Sequence, residues 1–292
     1  SQSYRIRPTD PNDPNKDERN LGDILDGSVA AIGDKDKGRQ EFLVAAANDG
    51  MVHIFRRNDT SSNPYDLKLS YIPASMERED DKGQATTLGK VLKDIAREGY
   101  GSTKGQPHRY MVNGGFVLRQ TPDKKQTFMF GAMGQGGRGA YALNIGAVAD
   151  SDRSRWDTTV PLFETEKGAG NKLGYTIGST QIGRVSIKRD TTPVNLESNV
   201  RYAGFLASGY RTEDLNSEDN DTALYVYDMT GKEAGTKNTG TNVSSEAGKL
   251  LARIPAPNGK GGLSTPTLVD TDFDGIVDIA YAGDRYGNMF RF

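Results

Sequence analysis

Short apolar runs separated by glycine-bearing turns fill this chain, and they recur in one order. An apolar strand candidate ends in Ala or Gly, a turn follows, and the next strand carries aromatic residues. The first round comprises 24–32, 41–47, 51–55 and 67–72. Asn48-Asp49-Gly50 forms its central turn, where the Asp-Gly pair supplies the positive φ angles of a two-residue hairpin loop. The second round comprises 111–119, 127–132, 140–145 and 160–163, and the third 175–187, 201–209, 223–228 and 250–254. A fourth holds Leu268, 279–283 and 288–292. One small twisted sheet cannot bury both of its faces, so repeated sheets cover one another. The pattern predicts an all-β chain, a modified β-propeller of about four blade-like units with long inserted loops. Residues 1–292 are read as one propeller domain. A sandwich of short strands is the alternative the same pattern allows.

Two insertions interrupt the repeat. Within 86–99, Leu88, Val91, Leu92 and Ile95 fall at helical spacing, with Thr86 or Thr87 as cap and Gly99 as stop. This is the one helix predicted, with its apolar stripe packed on the outside of a blade. The acidic stretch 212–222 reads as a solvated loop in preference to a weak cation site at Asp219, Asn220 and Asp221. Ahead of the repeats, 8–20 is rich in Pro, Asn and Asp and reads as irregular.

The sharpest chemical signal lies near the C-terminus, in Asp270-Thr271-Asp272-Phe273-Asp274-Gly275-Ile276-Val277-Asp278. It matches D-x-D-x-D-G-x-x-D, the first nine positions of an EF-hand-like calcium loop. Carboxylates packed this closely raise the cost of ionising one another, and a divalent cation removes that cost. Alternate spacing aims Asp270, Asp272 and Asp274 inward, Gly275 permits the sharp turn, and the Ile276 carbonyl and Asp278 complete the set. The twelfth position, normally Glu, is Tyr281, so Asp278 takes the bidentate role. Strand-like sequence flanks the loop on both sides, unlike the helices of an EF-hand. The competing reading is an acidic surface turn without metal; Ca²⁺ is the favoured one.

Composition narrows the remaining classes. A formal charge of −2 gives no general attraction to nucleic acid or anionic membrane. No apolar run is long enough to span a bilayer, so no transmembrane segment is expected in this chain. The first residues lack the regions of a signal peptide, so an exported protein would present here an internal or mature piece. The absence of cysteine removes disulfides, thiol catalysis and Cys-based metal sites. The 35 glycines suit many tight turns.

Catalytic signatures are weak. Gly134-Gln135-Gly136-Gly137-Arg138-Gly139 formally matches G-x-G-x-x-G, but the alternating sequence after it predicts a strand where a dinucleotide site needs a helix. It is read as a hairpin turn. His53 and His108, the only histidines, stand in no metal or acid–base context and are read as structural. No G-x-S-x-G elbow or P-loop occurs. Acidic pairs for glycoside chemistry stay open, since carboxylate separation is not visible in sequence. No catalytic residue is assigned and the chain is read as a non-enzyme.

Several blocks, in order, resemble one family: AAANDGMVHIF (45–55), YIPASM (71–76), HRYMVNGGF (108–116), GAMGQGGRGAYALNI (131–145), LGYTIGSTQIGRV (173–185) and STPTLVDTDFDGIVDIAYAGDRYGNMFRF (264–292). Together they resemble the C-terminal propeller domain of the PilC/PilY proteins, the type IV pilus tip-associated adhesins and biogenesis factors, with wording most similar to the neisserial members. The resemblance implies a quinoprotein-like modified β-propeller, exported to the bacterial surface, outer membrane and pilus tip. It implies Ca²⁺ held by Asp270, Asp272, Asp274, the Ile276 carbonyl and Asp278. It further implies a role in pilus extension against retraction, in twitching motility and in host-cell adhesion. The implied partners are type IV pilus components and a host-cell surface receptor. Family members continue past the Asn-Met-Phe-Arg-Phe strand, whereas this chain stops at Phe292. Either later blades are missing, the preferred option, or a strand around residues 4–7 completes the last sheet.

Two other functions remain in view. One is a pilus-associated scaffold with purely structural calcium. The other is a quinoprotein-type dehydrogenase, against which stand a lone tryptophan, Trp156, and the absence of the vicinal cysteines such enzymes place near their cofactor.

Overall fold

Alternating side chains decide how this chain packs. The computed structural model describes residues 21–25, 29–36, 38–60, 62–78, 84–101, 107–165, 172–188, 190, 192–193, 195–210, 221–234, 244–259 and 261–292. Residues 4–7, Asp219 and Asn220 lie outside the described residues. The first sheet holds β1 (Val29–Ile32), β2 (Phe42–Ala47), β3 (Met51–Arg57) and β4 (Tyr65–Tyr71) in sequence order. The second holds β5 (Phe116–Gln120), β6 (Thr127–Ala132), β7 (Ala140–Asn144) and β8 (Pro161–Glu164). The third holds β9 (Gln181–Ser186), β10 (Val200–Ala207), β11 (Ala223–Asp228) and β12 (Leu250–Pro255). The fourth holds β13 (Thr267–Val269), β14 (Ile279–Gly283) and β15 (Met289–Arg291). All pairings are antiparallel, so each sheet is a simple meander.

The middle strands of the second and third sheets are buried on both faces, and odd and even residues serve different cores. In β6 and β7, Met129, Tyr141 and Leu143 join a core with Phe42, Val44, Val52 and Ile54 of the first sheet. Their neighbours Phe128, Phe130, Ala140 and Ala142 face the third sheet instead, meeting Tyr202, Leu206, Tyr225 and Tyr227. The third sheet repeats the division: Ala203, Phe205, Leu224 and Val226 turn away to meet Ala280, Leu268 and Val277 of the fourth sheet and its loop. The sheets therefore stack face to face in chain order, each covering the next. Glycine makes room for the larger rings. A Cβ on Gly131 would lie 2.3 Å from Tyr141 Cζ and 2.4 Å from its hydroxyl oxygen. One on Gly204 would lie 2.7 Å from Phe130 Cε1.

Polar contacts lock neighbouring sheets together. The Glu164 carboxylate accepts from the Tyr71 hydroxyl (2.6 Å), the Ala74 N–H (2.7 Å), and the N–H and hydroxyl of Ser75 (2.7 Å each). It thereby ties β8 to the segment leaving β4. The turn between β2 and β3 is the predicted Asn48-Asp49-Gly50, but without the two successive positive φ angles expected of Asp49 and Gly50. Ala47 pairs with Met51, so Asn48, Asp49 and Gly50 form a three-residue loop with Gly50 at φ 87°. A type I turn followed by a left-handed glycine satisfies the strand twist equally well.

That turn also explains both histidines. His53 is buried, with Nε2 2.9 Å from Asp49 Oδ2 and Nδ1 2.8 Å from the Ser70 hydroxyl. Asn48 donates to the Arg109 carbonyl (2.8 Å), accepts from the Met111 N–H (2.8 Å), and lies 3.0 Å from His108 Nε2. Asp49 Oδ2 also accepts from the Gly22 N–H at 2.8 Å. Burial raises the Asp49 carboxyl's pKa, but the His53 ring and the Gly22 and Met51 N–H groups outweigh that and hold it below the ordinary value.

The predicted helix is α1 (Leu88–Ile95), capped by the Thr87 side chain, which accepts from the Lys90 N–H. Val91 and Ile95 are buried against the core shared by the first two sheets. A second helix, α2 (Trp156–Thr159), was not predicted; one turn leaves no periodic signature to read, and Arg155 at its N-terminus makes no side-chain cap. Gly134–Gly136 is a 3₁₀ turn leading into β7, so the G-x-G-x-x-G match joins two antiparallel strands. Asp221 is engaged by Arg253 and by the Tyr225 hydroxyl at 2.6 Å.

Two outcomes follow for stability. Gly131→Ala destabilises by about 1–3 kcal/mol in denaturant unfolding, because fully buried Tyr141 cannot withdraw. Gly89→Ala, where the added Cβ meets nothing within 4 Å, is neutral or stabilising by up to about 1 kcal/mol. For Asp49, whose folded pKa is depressed, the carboxylate's contribution is complete above its unfolded pKa of about 4 and is lost as pH falls through the folded value. The stability gap between wild type and Asp49→Asn is therefore widest near neutrality and narrows in denaturant titrations run progressively below that pH.

Candidate metal centre

The aspartate-rich loop closes the hairpin between β13 and β14. Val269 pairs with Ile279, and the Asp278 N–H donates to the Val269 carbonyl at 2.9 Å. Asp270 and Asp278 therefore stand opposite each other at the base, one leaving β13 and one leading into β14. Two left-handed residues fold the chain back above them: Gly275 at φ 87° and Phe273 at φ 61°. Phe273 is 91% exposed, whereas Ile276 is only 3% exposed and anchors the loop inward.

The fold brings carboxylate oxygens of Asp270, Asp272 and Asp278 within 4.8 Å of one another at the surface. Internal hydrogen bonds hold this arrangement. Gly275 N–H donates to Asp270 Oδ2 (2.8 Å) and Asp274 N–H to Asp272 Oδ1 (3.2 Å). The N–H and hydroxyl of Thr271 both donate to Asp278 Oδ2, at 2.8 and 2.6 Å. Asp274 stands outside the three. Its Oδ1 accepts from the Ile276 N–H at 2.7 Å, and its carbonyl lies 3.4 Å from Asn195 Nδ2.

Three like charges at this spacing repel by roughly 1 kcal/mol per pair in bulk water and by more beside a protein surface. The Arg184 guanidinium borders Gly275 but is already paired with Glu197. Asp270 Oδ1 is buried with no hydrogen-bond partner among the described residues. A buried carboxylate oxygen left unpaired calls for an explanation, and a cation among the carboxylates provides one. The converging donors are all oxygen, which fits a hard cation and not a thiolate- or imidazole-seeking metal. The aspartate triad can thus hold a metal ion. Thr271, Arg184 and Asn195 are parts of the site that motif reading did not find. Their contacts cross the loop or come from the third sheet, where spacing carries no signal.

The loop also leans on the third sheet. The Val277 N–H donates to the Arg184 carbonyl at 2.9 Å, and Val277 and Leu268 fit over Gly183.

Known proteins share this architecture. The chain is 29% identical over 259 residues to the type IV pilus biogenesis factor PilY1 of Pseudomonas aeruginosa strain UCBPP-PA14, a match covering 87% of this chain and 17% of that protein. It is 24% identical over 266 residues to a type IV pilus biogenesis factor PilY1 homolog of Xylella fastidiosa, covering 86% of this chain and 14% of the relative. The chain thus spans less than a fifth of the length of these curated relatives. Among solved structures, the crystal structure of the Pseudomonas aeruginosa PilY1 C-terminal domain superposes with a TM-score of 0.51 at 22% identity, over 86% of this chain and 37% of that one, and so shares the fold. The family model described as the PilY1 beta-propeller domain matches residues 22–292, nearly the full length, and the chain belongs to that family.

Proposed function

We propose that this chain is a calcium-binding, non-catalytic module of a type IV pilus biogenesis factor, displayed at the bacterial surface and pilus tip. In this reading it governs pilus extension against retraction and supports twitching motility and adhesion to a host-cell receptor. Family membership supports the pilus assignment. The observation that carries the calcium assignment is the convergence of Asp270, Asp272 and Asp278, one of which, Asp270, also has an unpartnered buried oxygen.

Asp270, Asp272, Asp274, the Ile276 carbonyl and Asp278 would hold the ion. Bound Ca²⁺ supplies two positive charges against the crowded carboxylates and tolerates irregular coordination, which Mg²⁺ does not. The protein's own groups do the rest. Gly275 and Thr271 orient the Asp270 and Asp278 carboxylates through hydrogen bonds, and Ile276 fixes the loop to the core. Through Val277 and Arg184, order in the loop passes to the third sheet. Such coupling becomes a switch only where a pilus partner binds the two loop states unequally.

In calorimetric titration, wild type binds Ca²⁺ more tightly than Mg²⁺, and Asp272→Ala and Asp278→Ala lose most of the Ca²⁺ affinity. Equal binding by wild type and Asp272→Ala would refute the site. Thermal unfolding gives a second readout: a hundred-fold excess of Ca²⁺ over Kd stabilises wild type by about 2.7 kcal/mol, and Asp272→Ala shows no such gain. In cells, Asp272→Ala is expected to lower piliation and motility. The loop's contacts with the third sheet also suit a structural calcium, and normal piliation and motility in that strain would favour this scaffold reading.

A further inference from the structure

Away from the aspartate loop, a cavity of about 280 Å³ opens where the chain runs into the first strands of the second, third and fourth sheets. Asn113 precedes β5, Ile177 and Ser179 precede β9, and Thr265 precedes β13, while Gln135 reaches in from the turn between β6 and β7. These first strands are neighbours, β5 beside β9 and β9 beside β13, so the cavity lies at one end of their common axis. The aspartate loop follows the far end of β13, at the opposite pole.

The rim is built before any ligand arrives. Gly115 N–H donates to the Gly178 carbonyl (2.8 Å), Ser179 N–H to Thr265 Oγ1 (2.9 Å), and Gln135 N–H to Asn113 Oδ1 (2.9 Å). Glycine lets the backbones approach this closely: a Cβ on Gly115 would lie 2.8 Å from Ser179 Cβ, and one on Gly134 would lie 2.5 Å from Asn113 Oδ1. Asn113 is 7% exposed, and with its Oδ1 occupied its Nδ2 donors have no partner among the described residues.

The lining decides the ligand chemistry. Its polar side chains are amides and hydroxyls that donate and accept together, with one apolar side chain, Ile177, and no charged one. An ionic ligand would lose hydration without gaining a countercharge. A ring bearing several hydroxyls matches the groups on offer, and its C–H face suits Ile177. The volume falls just under the roughly 300 Å³ at which pockets for drug-sized ligands begin, which limits the occupant to about one ring. We propose that this axial cavity binds a single uncharged pyranose unit, free or at the end of a glycan, independently of calcium.

Saturation-transfer NMR on the calcium-loaded chain tests this with the methyl glycosides of glucose, galactose, mannose and N-acetylglucosamine, and with N-methylacetamide as a neutral amide control. Transfer to at least one glycoside is expected. Gln135→Trp, at an exposed position on the rim, blocks the mouth and weakens that binding by about ten-fold or more. Gln135→Glu, similar in size but charged, weakens it as well, so loss does not rest on one bulky variant. Asp272→Ala leaves the sugar signal unchanged, which separates this site from the metal loop. No transfer to any glycoside, transfer to the amide alone, binding unaffected by both Gln135 variants, or binding lost in Asp272→Ala would each overturn the proposal.

Discussion

Burial of the middle strands of the second and third sheets on both faces is the constraint from which the rest of this structure follows. In β6, Phe128 and Phe130 enter one core while Met129 enters another. In β10, Tyr202 and Leu206 face the second sheet while Ala203 and Phe205 face the fourth. A register slip of one residue would exchange the contents of two cores at once. Such a chain has little freedom to repack, and its glycines are fixed by the rings opposite them. Gly131 accommodates the ring of Tyr141, and Gly204 that of Phe130. The polar locks, Glu164 with four donors and Asn48–Asp49 with the crossing segments, act on sheets already matched by shape.

This packing is what allows the acidic loop to exist in its observed form. Carboxylates do not gather by mutual attraction; the hairpin gathers them. Val269 and Ile279 fix the two ends of the loop, and Ile276 holds its middle in the core. Val277 then rests on the third sheet. The cost of crowding is carried by the framework, and a cation that relieves it stabilises the same framework. A site of this kind reports on the fourth sheet and its contacts with the third, while the first two sheets lie beyond its direct reach. The axial cavity sits at the other pole and has its own chemistry.

Much of this was legible in the sequence because the signals were local. Short apolar runs at 127–132, 140–145 and 223–228 marked strands, though not which core each face would enter. Leu88, Val91, Leu92 and Ile95 marked α1 by spacing, and of the two candidate caps, Thr86 and Thr87, the structure uses Thr87. The D-x-D-x-D-G-x-x-D run singled out the candidate ligands, of which the structure draws together Asp270, Asp272 and Asp278. What spacing could not carry was contact between distant segments. His53 and His108 looked unrelated, yet both meet the Asn48–Asp49 turn. The Arg184 and Asn195 contacts with the loop, and the cavity shared by three sheets, arise only from stacking. The one-turn α2 was missed because it lies below the length at which a pattern can repeat.

The central claim is that a metal ion among the aspartates orders the loop and, through it, the fourth sheet where it meets the third. Hydrogen–deuterium exchange with and without Ca²⁺ addresses that most directly. Slower exchange confined to residues 267–283 and the adjoining amides of β9, with β2, β3, β6 and β7 unchanged, is the predicted result. Exchange that is identical in the two conditions, or that slows uniformly through all four sheets, would contradict it.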